Sequence, residues 1–240
     1  VARHADDVRF LEKFLFNKGY EAALEEELVS QLPWPEETLA RLGDLVVHVQ
    51  PDRPWEAEKH YREALRFNPT YASAFTGLAV LDEKAERYDE AVALFEKALA
   101  IEPDNPMTCF YFGRCLARRN AAQGVAVGRD EIPPDVARAR DLLGKSIRLQ
   151  PGLAEAYVEF GRTYFGSGGD LAPAIRHLET ARQMLPARVD VLAGLAMLHA
   201  RKGARASVLP NGRVLIGGGS SWSNTRRAEL HPGCEVFDLR

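Results

Sequence analysis

Apolar residues recur three or four positions apart through most of this chain, and prolines interrupt the rhythm at regular intervals. A stripe with that period gives each helix one apolar face. The segments "EALRFNPTYASAF" and "KALAIEPDNPMTCF" each end a helical run at a proline and start another a few residues later. Pro69 and Pro103 stand 34 residues apart, Pro103 and Pro151 stand 48 apart, and Pro151 and Pro186 stand 35 apart. A period of 34, with one unit lengthened by 14 and another by one, accounts for all four positions. Repetition at that interval predicts stacked helical hairpins.

The unit from Ala72 to Pro103 carries the pattern most clearly. Phe75, Leu78 and Ala79 share one face of a first helix, "AERYDEA" makes a turn, and Ala91, Phe95 and Ala98 share one face of a second. The small residues let two antiparallel helices approach, and the large ones fill the space around them. An early aromatic, Leu-Ala, then Ala91, Phe95, Ala98 and Pro103 resemble the tetratricopeptide repeat. Tyr157, Phe160-Gly161, Tyr164, Ala174, Leu178, Ala181 and Pro186 repeat the resemblance. Phe112-Gly113, Ala139, Leu143 and Pro151 carry it more loosely, as do Leu42-Gly43, Ala57, Tyr61, Ala64 and Pro69 with extra residues in "QPDRPW". Asp82 stands where the family usually has a large aromatic, which predicts a looser or wetter spot there.

The resemblance implies an all-α fold, a right-handed superhelical solenoid of antiparallel helix pairs, ending in a short β-containing tail. Residues 1–34 read as an N-terminal capping hairpin turning at Gly19. Residues 35–203 read as four repeats plus one extra helix, with a loop insertion at about 120–133 and Asp135 as a cap for the next helix. Residues 204–240 read as a β-hairpin tail: two short strands about Asn211-Gly212, which suits a tight turn, and a third in "CEVFDLR". From Ser207 to Asp238 the order resembles a single kelch-type, galactose-oxidase-like propeller blade. One blade leaves its sheet edges and an apolar face open, so a poorly packed tail is expected. Two origins are expected for such a tail, a propeller continuing past Arg240 or an accidental junction. A third reading folds it over Leu192, Leu195 and Leu198.

Composition narrows the function classes. The net charge of −3 argues against a bulk nucleic-acid partner. No apolar run is long enough to span a bilayer, and "VARHADDVRF" lacks the apolar core of a signal peptide. A cytoplasmic location is favoured, and the missing initiator Met leaves export open. Cys109, Cys115 and Cys234 do not make a disulfide framework and are read as buried thiols. The histidines show no metal-ligand spacing. "IGGGSS" and "FGSGGD" lack the Lys-Ser/Thr of a phosphate-binding loop. No catalytic residue, cofactor or metal is predicted.

What remains is binding. The family resemblance implies a concave face, lined by the first helix of each repeat, that takes a partner peptide or helix. Here that face is predicted to comprise Met107, Phe110, Arg114, Arg118, Val158, Arg162, Phe165, Met197 and Arg201. Apolar anchors among arginines suit a protein or peptide ligand bearing carboxylates. The asparagines of the family's carboxylate clamp are not seen, so a chaperone tail is not implied. The expected function is a non-catalytic interaction scaffold, with self-association open. The alternative is a regulatory or targeting arm of a larger protein whose propeller or enzyme domain lies beyond residue 240.

Overall fold

The computed structural model describes residues 34–124, 131–165 and 167–202, together with the backbone of three short strands beyond them. The expected hairpin of residues 1–34, but for Trp34, lies outside the described residues. The chain divides into two compact units, residues 1–104 and 105–240.

The first unit holds α1 (Pro35–Val49), α2 (Pro54–Phe67), α3 (Ala72–Lys84) and α4 (Tyr88–Ile101). Helix α1 packs on α2 and α3 on α4, while α3 also touches α1 and α2. Proline opens α1 and α2, where its missing N–H costs nothing and its fixed φ suits the first turn. Tyr61 of α2, 2 % exposed, is the wedge of this unit. Its ring lies so close to α1 and α3 that a Cβ on Gly43 would come within 2.6 Å of it and one on Gly77 within 2.3 Å. Glycine at both positions is what lets the ring in. Its hydroxyl donates to Asp44 Oδ1 at 2.7 Å, which satisfies the polar end. In the next pair Phe95, Ala79, Ala91 and Ala98 are all fully buried, as large-to-small packing requires.

The second unit holds α5 (Pro106–Gln123), α6 (Pro134–Leu149), α7 (Ala154–Arg162), α8 (Ala172–Met184) and α9 (Val189–Arg201). Helix α5 packs on α6 and α7 on α8; α9 follows α8 and touches α7. The glycine-to-large pairing returns: Leu143 lies 2.7 Å from a Cβ placed on Gly113, and Leu178 lies 2.6 Å from one placed on Gly161. Phe110, Tyr157, Phe160, Leu178, Leu195 and Leu198 belong to one core.

One turn recurs between helices. The N–H of Gln50, Asn68, Glu102, Gln150 and Leu185 each bonds back to the carbonyl four residues earlier. A proline follows each of the five: Pro51, Pro69, Pro103, Pro151 and Pro186. At Gln50, Asn68, Gln150 and Leu185 the carbonyl then accepts from the N–H three residues on, at 3.0 to 3.2 Å. Proline at the second position of such a turn has its φ set in advance. From Asn68 on, the turn recurs at Glu102, Gln150 and Leu185, which is the period of 34 lengthened once by 14 and once by one.

Three sequence expectations change in detail. Asn120–Gln123, expected in the loop insertion, continue α5, which stops at Gly124 with φ 60°. A left-handed residue there favours glycine. Residues 125–130 of the expected loop lie outside the described residues. Pro133 takes the cap position of α6, and Asp135, expected as the cap, instead sits in its first turn. There it receives two hydrogen bonds from Arg119 of α5, at 2.7 Å each. Tyr164, expected within a first helix, lies past the end of α7.

In the tail β1 (Arg205–Val208) pairs antiparallel with β2 (Val214–Gly217), and β2 with β3 (Cys234–Phe237). Strands β1 and β2 lie beside α9. Leu192, Leu195 and Leu198 are buried. The Asn211-Gly212 turn lies outside the described residues.

Candidate partner-binding surface

All nine residues read from sequence as a binding face fall in the second unit, on or just after α5, α7 and α9. The structure distributes them between core and surface. Phe110 is 5 % exposed and Val158 2 %, so both belong to the core and neither presents a side chain to a ligand. Neighbouring repeats cover the helix face on which they lie. Met107 and Phe165 are half-buried and packed against that core. Phe165 leans on α9, its ring 3.0 Å from where Gly194 would carry a Cβ. Met197 is 46 % exposed, and Arg118 is exposed.

The arginines have protein partners. Arg114 places its guanidinium 4.9 Å from the Tyr111 ring centre and 5.5 Å from that of Phe110, which fixes its direction. Arg162 pairs with Glu159 at 3.1 Å and with Asp190 of α9 at 3.2 Å. Asp190 also pairs with Arg188 at 3.0 Å, and Arg188 reaches Glu155 of α7 at 3.4 Å. An alternating acid–base strip therefore runs from α7 to the start of α9. Arg201 donates to the carbonyls of Tyr164 and Ser167, the latter at 3.2 Å, so it ties α9 to the turn that follows α7.

Arg140 of α6 escaped the sequence reading and is buried despite its charge, at 9 % exposure. It donates to the Thr163 carbonyl and hydroxyl, the Gly168 carbonyl and Ser167 Oγ, at 2.6 to 3.2 Å. Its guanidinium stacks 3.5 Å from the Tyr164 ring centre. Burial lowers its pKa from the usual arginine value, Arg201 adds to that lowering, and Tyr164 opposes it. The guanidinium keeps its proton regardless. A wide turn after α7 is thus built around Arg140, which is why Tyr164 leaves the helix. A polar residue between apolar ones in a helix reads as solvated, and only the three-dimensional turn shows otherwise.

Among the described residues no group of three or more His, Cys, Asp and Glu is placed to hold a metal. No described helix is long and apolar enough to cross a membrane.

Residues 50–107 match the family model of the tetratricopeptide repeat. No curated protein sequence matches the chain. Several solved structures share its fold. YrrB, described as a TPR protein with an unusual peptide-binding site, is 20% identical with a TM-score of 0.57, over 76% of this chain and 84% of its own. MamA 41-end from Desulfovibrio magneticus RS-1 is 20% identical with a TM-score of 0.54, over 69% of this chain and 86% of its own. PilF of Pseudomonas aeruginosa is 18% identical with a TM-score of 0.55, over 70% of this chain and 69% of its own. At such identities the likeness is one of fold, and the helical part of the chain is tetratricopeptide-like. The family match stops at residue 107. It reaches Met107 alone of the candidate residues, and it lends no support to the blade-like reading of the tail.

Proposed function

We propose that this chain is a non-catalytic scaffold holding a partner peptide or helix against the first-helix face of its second unit. The observation that supports this reading is the strip on α7 and α9, where Arg162 keeps 45% of its side chain exposed within a network of acids. Met197, 46 % exposed on the same α9, supplies apolar area. Arg114 and Arg118 extend the basic character onto α5, while Phe110, Val158 and Phe165 support the surface from beneath. A carboxylate on the partner would compete with Glu159 and Asp190 for Arg162, whose exposed ion pairs are each worth little near the surface. Binding of that kind weakens with salt, because exposed ion pairs are screened.

The test is a peptide-array screen with the full chain, followed by titration of a selected peptide. Replacing Arg114, Arg162 and Met197 together by Ala is expected to weaken binding at least tenfold, about 1.4 kcal/mol, with helix content unchanged by circular dichroism. If the triple variant binds as tightly as the parent, this face is not the binding surface.

A further inference from the structure

The repeat beginning at Ala72 and the repeat beginning at Ala154 place equivalent residues ten positions on, at Asp82 and Tyr164. In the second unit that slot is full. Tyr164 is 6 % exposed, its ring centre 5.6 Å from that of Phe160, which in turn lies 4.5 Å from His177. Arg140 of the preceding helix covers the phenol ring. Counting back from each repeat start, Glu58 stands where Arg140 does. Counting forward, Leu78 stands where Phe160 does, and with the second helices aligned on Ala91 and Ala174, Leu94 stands where His177 does. Three ring-bearing residues and a guanidinium are thus exchanged for two leucines and two acids.

The first unit pays for that exchange with space. An open pocket of about 420 Å³ lies between α2, α3 and α4, walled by Leu65, Leu78, Leu81 and Leu94 and rimmed by Glu58, Arg62, Asp82 and Arg87. The rim charges are matched in pairs: Arg62 with Glu58 at 2.6 Å, and Arg87 with Asp82. So the mouth carries no net charge to attract an ion. The leucine floor favours a flat apolar body that displaces water. The carboxylates of Glu58 and Asp82 accept hydrogen bonds, so they suit a body with a donor at its far end.

We infer that this pocket takes a tyrosine side chain of a partner polypeptide, which supplies from outside the ring that Tyr164 supplies from within in the second unit. The site lies in a different unit from the proposed binding face, so each can fail without the other.

The experiment uses the full chain with labelled leucine methyl groups and N-acetyl-tyrosinamide as the probe, with N-acetyl-leucinamide as comparator. The expected result is saturable shifts at Leu65, Leu78, Leu81 and Leu94, with the leucine compound at least fivefold weaker. Asp82→Tyr fills the slot from inside; that chain is expected to fold, to melt no lower than the parent and to lose the probe shifts. No saturable shift at the four leucines, equal response to both compounds, or unchanged shifts in D82Y overturns the proposal. So does a D82Y chain that cannot fold, since the two slots would then not be equivalent. Leucine shifts that change in the probe-free chain on Tyr20→Ala would assign the pocket to the chain's own N-terminal segment, and shifts that track protein concentration would assign it to a second copy; either overturns the partner assignment.

Discussion

Gly161 and Arg140 show how far single positions could be read before coordinates. Gly161 was legible through the repeat resemblance, as the small residue directly after Phe160, and Leu178 sits 2.6 Å from its missing Cβ. Gly161→Ala is expected to cost about 1–3 kcal/mol through overpacking, read as a lowered urea midpoint with unchanged slope. Arg140 was not legible, because nothing in a helical pattern distinguishes a guanidinium folded inward from one in water. Arg140→Met leaves the carbonyls of Thr163 and Gly168 without its hydrogen bonds. That should cost about 3 kcal/mol and speed hydrogen exchange between Thr163 and Asp170. His177 carries a pH dependence of known sign. It packs edge-on against Tyr157 and Phe160, and burial, with Arg176 adding, lowers its pKa below the ordinary 6.5. Protonation is therefore favoured in the unfolded chain. Stability is full above about pH 6.5 and falls as the pH drops from there towards the lower folded pKa. A urea midpoint that declines between pH 7.5 and 5, with a shallower decline in His177→Gln, is the expected outcome.

Elements were legible wherever local chemistry ends them. The proline turns after α1, α2, α4, α6 and α8 rest on residues within five positions of one another, so period and boundaries could be read together. The start of α6 and the end of α7 could not, since each involves a distant side chain. At the start of α6 Asp135 is fixed by Arg119, sixteen residues away in α5. The pair is mostly buried, with 19% and 22% of the side chains exposed. Arg119→Ala is expected to cost about 1 kcal/mol and to speed amide exchange in the last turn of α5 and the first of α6, leaving α1 to α4 unaffected.

For the molecule as a whole, the predicted binding face illustrates what periodicity leaves out. It identifies the side of a helix that is apolar, but the neighbouring repeat decides which of those residues stay in water. Phe110 and Val158 were covered; Met197 was not. Division into two units has an energetic counterpart, because stacked repeats draw stability chiefly from nearest neighbours. Gly77→Ala, which forces Tyr61 aside, is expected to lower exchange protection mainly in residues 34–104, and Gly161→Ala mainly in residues 105–202. Uniform loss across the chain in both variants would show that it unfolds as one cooperative body instead.

Cys109 and Cys115, both wholly inaccessible on α5, give the protein an internal reporter. Neither sulfur can meet an alkylating reagent until that helix parts from its surroundings, so in a Cys234→Ser background the labelling rate measures how often the helix breathes, with no dye or isotope attached.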